Sequence, residues 1–247
     1  GLANQLAAHM GFDPVSIDRV RRFWRAPRMA EAEGLKAVDL FDAVADGRIK
    51  ALWVMATNPV VSLPRADAVR AGLDRLELFV VSDNVRNADT VSRAQIRLPA
   101  CGWGEKDGTV TNSERRISRQ RAFLAPPGEA KPDWWIVSEV ARRLGHGEAF
   151  AYASPAEIFA EHAALSAFEN DGDRDLDLGA LAGISAAEYE ALAPFQWPQR
   201  AGAPFPEPSR FFAGGGFFTD DGRGRFIAVD AKVQRKTAGA TSLPLRL

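Results

Sequence analysis

With 247 residues and 46% hydrophobic content, the chain can bury a sizeable core and is expected to form one large domain or a domain and a half. Its 31 Lys and Arg balance 32 Asp and Glu, and a net charge of -1 excludes the electrostatic case for nucleic acid or an anionic membrane as a partner. A single cysteine, Cys101, excludes an internal disulfide framework and a multi-cysteine zinc or iron–sulfur site, and no apolar run approaches the roughly 18 residues of a membrane-spanning helix. A reducing, cytoplasmic compartment is the expectation. The opening Gly-Leu-Ala-Asn-Gln lacks an initiator methionine, a basic segment and an apolar signal core, so an internal piece of a longer polypeptide is expected.

In chain order, Ser16 suits the N-cap of a helix over 17–24, and Val38, Phe41 and Ala45 fall at helical spacing before Asp46-Gly47. Lys50 to Ala56 is a nearly continuous apolar run, the kind that fills a parallel sheet buried on both faces, and it stops at Thr57-Asn58-Pro59. Pro64 should open a helix to about Leu73. Leu76 to Val81 gives a second strand, 88–93 a short helical segment, and Gln95 to Leu98 a third strand. This β-loop-α-β order fits an α/β fold with a doubly wound, mainly parallel sheet of dinucleotide-binding-like topology, whose ligands bind beyond the carboxyl ends of the strands.

Residues 99–121 follow as a loop rich in hydrogen-bonding groups. Gly102, Gly104 and Gly108 allow close backbone approach, and Lys106, Arg115, Arg116, Arg119 and Arg121 supply charge suited to phosphate; the plainer alternative is a solvated loop whose Glu114 and arginines pair with one another. Ala125-Pro-Pro-Gly128 breaks the chain before a helix with Trp134, Val137, Ala141 and Leu144 on one side, for which Asp133 is a candidate N-cap. Ser154-Pro155 and Ser185 open two more helices. From about Phe195 the composition turns to Pro, Gly and aromatics, and Asp221-Gly222 signals a β-hairpin into 225–229. The expected division is 1–150 as the α/β domain and 151–247 as a helical and hairpin extension.

Each strand end carries candidate ligand groups: Asn58 after the first, Ser82-Asp83 after the second, and Lys106 in the loop after the third. They should converge on one crevice. No G-x-G-x-x-G follows the first strand, so the ordinary NAD or FAD fingerprint is missing. Guanine suits a carboxylate at Asp83, because its N1–H and N2 amino group are adjacent donors; a turn-forming aspartate is the alternative. The three histidines are scattered without metal-site spacing, no G-x-S-x-G is present, and Cys101 is expected to be a small buried filler, with a reactive thiol as the alternative.

The segments Met55-Ala-Thr-Asn-Pro59, Val81-Ser-Asp83, Gly102-Trp-Gly-Glu-Lys-Asp-Gly-Thr-Val-Thr-Asn-Ser-Glu-Arg-Arg116 and Lys131-Pro-Asp133 together resemble the molybdopterin oxidoreductases, most of all the catalytic subunits of bacterial assimilatory nitrate reductases. The resemblance implies an α/β domain gripping one arm of a bis-molybdopterin guanine dinucleotide (Mo) cofactor. Asn58 would contact that cofactor, Ser82 and Asp83 its guanosine end, Lys106 a phosphate or neighbouring polar group, and Asp133 the far rim. Trp103, Glu105, Asn112, Arg115 and Arg116 would support the loop. The resemblance puts the cysteines for a 4Fe–4S cluster and the molybdenum ligand upstream, and a final cofactor-binding domain downstream; no metal ligand, acid, base or nucleophile is assigned here. It implies nitrate as substrate of the parent, an electron donor protein or reductase subunit, and the remaining domains as partners. A formate dehydrogenase of the same superfamily, and a stand-alone nucleotide-binding module without redox activity, are the alternatives.

Overall fold

The structure is a computed structural model and describes residues 5–203 and 209–228. Two compact units divide at residue 211. In the first, helix α1 (Pro14–Trp24) begins with Pro14, and its N-cap is Asp13, whose Oδ1 accepts from the Ser16 amide at 3.0 Å. The cap therefore lies three residues before the expected Ser16, which is a donor to it. Helix α2 (Ala37–Ala45) ends as expected, with Gly47 in the left-handed region.

Strands β1 (Ala51–Met55), β2 (Leu78–Asp83) and β3 (Ile96–Pro99) pair in parallel in the order β1-β2-β3. Helices α3 (Pro59–Ser62) and α4 (Ala66–Leu73) link the first two strands. The helix expected from Pro64 to about Leu73 is α4, which starts two residues later because Arg65 adopts a left-handed conformation (φ 58°), and α3 occupies the segment expected as a short loop. Val44, Val54, Val60, Val69, Leu73, Phe79 and Val81 form one apolar core, and α4 lies close enough to α2 that a Cβ on Gly72 would stand 3.3 Å from Ala45 backbone atoms. Leu78 and Ile96 remain 43% and 45% exposed, so burial on both faces is not realised among the described residues: an apolar run reports burial without saying how many faces are covered. Met55 is level with Ser82 and Asp83 with Pro99, which brings the three carboxyl ends to one edge.

The segment expected as a loop holds β4 (Gly108–Thr111) and β5 (Arg116–Gln120), an antiparallel hairpin extended by β6 (Phe195–Gln196). Asn112 closes it by accepting from the amides of Glu114 and Arg116. The chain then returns to the edge of β3: Ala100 bridges Lys131, with Cys101 N–H donating to Lys131 O and Lys131 N–H to Pro99 O. Helix α5 (Asp133–Arg143) follows. Ile136, Ser138 and Ala141 are its buried residues, whereas Leu144 is 71% exposed, which rotates the buried face from the expected one. Helix α6 (Pro155–Ala167) and helix α7 (Ala186–Ala191) begin where expected, α7 through a reciprocal Ser185–Glu188 box. They share a second core with Leu6, Met10, Val20, Ile117, Leu178 and Trp197.

In the second unit, Phe212 stacks on Phe217 at 4.4 Å and Gly222 N–H closes a turn onto Thr219 O. Turns fall within residues 211–222 and no strand is formed up to 228, so the expected hairpin is absent among the described residues; position 229 and beyond lie outside them. No helix among the described residues is long and apolar enough to cross a membrane.

Candidate functional site

The three level strand ends open onto a crevice of about 510 Å³, within the size range of small-molecule sites. Its lining includes Asn58, Ser82, Asp83, Lys106 and Asp133, so the structure brings all five sequence candidates together. Asn58 stands at the N-cap of α3 and lines the wall after β1. Ser82 is fully buried, and its hydroxyl accepts from the Trp53 indole N–H at 2.8 Å. Asp83 caps the turn after β2: Oδ1 accepts from the Val85 amide at 2.8 Å, which leaves Oδ2 and the second lone pair of Oδ1 to a ligand. The turn-forming role and a recognition role are therefore compatible.

Lys106 reaches the crevice from the turn after the short helix Trp103–Glu105 and pairs with Asp133 at 2.7 Å, each being about 30% exposed. Asp133 is the first residue of α5, and Pro132 occupies the cap position without a side-chain bond, so the N-cap role expected for Asp133 is replaced by this ion pair. Glu105 secures the turn by accepting from Gly102 N–H at 2.7 Å. A Cβ on Gly104 would meet the ring tip of Phe123 at 2.8 Å and displace that exposed side chain, while nothing crowds Gly108.

The other cations expected to favour phosphate are spent elsewhere. Arg115 donates to Trp197 O and Ser209 O and lies 3.5 Å over Phe211. Arg119, with its side chain 1% exposed, pairs with Asp107 and Glu190 over the Tyr189 ring, and Arg121 joins Glu190. Arg116 borders a separate cavity of about 820 Å³. Arg119 and Arg121 thus pair with residues other than Glu114, and Lys106 is the one of the five basic residues that lines the crevice.

Cys101 also lines the crevice wall but is 2% exposed, and burial, followed by the charges of Glu105 and Asp133, pushes its thiol pKa up. That favours the filler over the reactive thiol. Among the described residues no group of three or more His, Cys, Asp or Glu is placed to hold a metal ion.

Sequence reasoning missed Thr57, Asn84 and the crevice-lining position of Trp103, which is 63% exposed. The turn that presents Thr57 and Asn58 depends on Ala56 at φ 54°, a left-handed alanine that carries no sequence signal and costs roughly 1–2 kcal/mol. Strain of this kind gathers at ligand sites.

A family model described as molybdopterin oxidoreductase matches residues 3–143. A nitrate reductase from Klebsiella oxytoca is 57% identical over 198 residues, covering 80% of this chain and 23% of its own length. An F420-dependent formate dehydrogenase 2 subunit alpha from Methanococcus maripaludis is 31% identical over 221 residues, covering 88% of this chain and 30% of its own. The solved structure of acetylene hydratase from Pelobacter acetylenicus superposes with a TM-score of 0.55 at 21% identity, over 78% of this chain and 24% of that one, a likeness of fold. The chain spans about a quarter of the length of the curated relatives it matches.

Proposed function

The chain belongs to the molybdopterin oxidoreductase family, and from that premise we propose that it grips one guanine-dinucleotide arm of a bis-molybdopterin guanine dinucleotide cofactor within a molybdenum-dependent nitrate reductase. The observation that carries this is the convergence of Asn58, Ser82, Asp83, Lys106 and Asp133 on one crevice at the carboxyl edge of the parallel sheet. The three strands then act as one mononucleotide-binding half of a dinucleotide-binding-like sheet, and residues 1–150 are the cofactor-gripping portion.

The donor set fits such a group. Asp83 offers carboxylate lone pairs to the N1–H and N2 amino group of guanine, Lys106 a point charge to a phosphate, and Asn58 its amide N–H groups to an oxygen. Asp133 forms the far rim and holds Lys106 in place until a phosphate competes for it. Ser82, through Trp53, fixes the floor beneath the base. When bound, the cofactor supplies the two-electron redox chemistry, and this chain contributes binding and orientation. Nitrate as substrate, a 4Fe–4S cluster elsewhere in the parent, an electron-donor protein or reductase subunit and a cytoplasmic setting belong to the same proposal, supported by the 57% identity to a nitrate reductase. The formate dehydrogenase relative at 31% identity favours formate as the second reading.

Calorimetric titration of the chain with guanosine and adenosine diphosphates tests the grip. Guanine should be preferred by about tenfold or more, the worth of one hydrogen bond to a charged group, and equal affinities would remove the assignment. Turnover of nitrate against formate by the complete cofactor-loaded parent decides the substrate.

A further inference from the structure

Asn58 precedes Pro59 at the N-terminus of α3, where an asparagine ordinarily caps its own helix through its side-chain oxygen. Here that oxygen makes no cap bond and is turned instead to Thr90, 32 residues later. Two obligate donors fix the arrangement. The Thr90 backbone N–H lies 3.2 Å from Asn58 Oδ1, and an N–H can only donate, so the Asn58 atom facing it is the carbonyl oxygen and not the amide nitrogen. The Thr90 hydroxyl accepts from the Val60 N–H at 3.2 Å, and its own proton goes to Asn58 Oδ1 at 2.6 Å. Thr90 is fully buried, so no water competes for these groups.

We propose that Thr90 is a positioning residue for ligand recognition: by occupying both acceptor positions of the Asn58 carboxamide oxygen, it leaves Asn58 only N–H donors for the crevice, so the ligand atom opposite Asn58 is an oxygen acceptor. The inference deepens the nucleotide site proposed above and rests on it for the identity of the ligand. It also sets the polarity of the crevice: Asn58 donates on the β1 side, while Asp83 accepts at the end of β2. A guanine nucleotide seated with its donors toward Asp83 would then turn an oxygen of its sugar-phosphate portion or base toward Asn58.

The test combines three variants with two readouts on the full chain: the Asn58 side-chain amide resonances in the free protein, and calorimetric affinity for guanosine diphosphate. Thr90→Ser keeps the hydroxyl and should retain the wild-type resonances and affinity. Thr90→Val removes one of the two bonds at Oδ1 and should shift or broaden the Asn58 amide pair and weaken binding by several-fold. Asn58→Asp keeps an oxygen facing Thr90, and so the fold, but replaces the crevice-facing donor by an acceptor; binding should fall by about tenfold or more. Unchanged Asn58 resonances and affinity in Thr90→Val would overturn the positioning role. Wild-type affinity in folded Asn58→Asp would overturn the donor polarity, and this variant decides the matter if Thr90→Val does not fold. Absence of guanosine diphosphate binding by the wild-type chain would overturn the nucleotide site itself, while the amide resonances would still judge whether Thr90 fixes Asn58.

Discussion

The Lys106 ammonium lies 2.7 Å from Asp133 Oδ2, so the cation that lines the crevice is already held by a carboxylate from the start of α5. A bound phosphate would share or displace that partner. Lys106→Met should weaken guanosine diphosphate binding by about tenfold and flatten its dependence on salt, because a charge-assisted contact is lost. Asp133→Asn should raise affinity for the phosphate-bearing probe by freeing Lys106, with a stability loss of only about 0.5–1 kcal/mol for a partly exposed pair. Titrations between low and physiological salt check both; a Lys106→Met slope equal to wild type would show that Lys106 meets no phosphate.

Asp83→Asn should fold normally, because an asparagine Oδ1 can still accept from the Val85 amide. Its amide group would then face a guanine donor with another donor. The expected loss is about 1.5–3 kcal/mol, roughly tenfold to a hundredfold in affinity for guanosine diphosphate. Xanthosine diphosphate, which carries an oxygen where guanine has its amino group, should lose less. Equal losses for both nucleotides would leave Asp83 with the turn alone.

At the other end of the chain, Asp13 caps α1, and hydrogen bonds from Ser16 hold its carboxyl below the ordinary 3.8. A depressed carboxylate stabilises the fold at pH above its unfolded value, and that contribution is lost as pH falls through the folded value. Asp13→Ala should therefore cost about 1 kcal/mol near neutrality, and the gap to wild type should narrow below pH 3.8. Urea denaturation across that range measures it; a gap that widens on acidification would contradict the cap.

Cys101, the single thiol, should react with a disulfide reagent at neutral pH at least about tenfold more slowly in the folded chain than in urea, because it is both buried and held protonated. Absorbance of the released thiolate gives the two rates. Comparable rates would show that the crevice wall around Cys101 opens readily.

The sheet and its crevice were legible in the sequence because three apolar runs stop at polar residues, and parallel pairing sends every carboxyl end to one edge. The β4–β5 hairpin was not, although Thr109 to Thr111 and the alternation around Ile117 carry a weak period-2 signal, because the density of charge masked it. Arg119 shows why: its burial is made possible by Asp107, Glu190 and the Tyr189 ring, and the last two lie about 70 residues away. The partner of Asn58 was hidden for the same reason, since only the folded backbone brings Thr90 to it. Capping at Ser185 was readable because both halves of the reciprocal bond lie within four residues.

The bridge between Ala100 and Lys131 fastens both ends of the intervening chain to the same strand edge. Whatever happens at the tip of that excursion, where residues 121–129 are all exposed, its two roots stay registered with β3. The stretch from Ala125 to Gly128 is accordingly a place where length can be added or removed, or a reporter group grafted, without disturbing the spacing between Lys106 and Asp133.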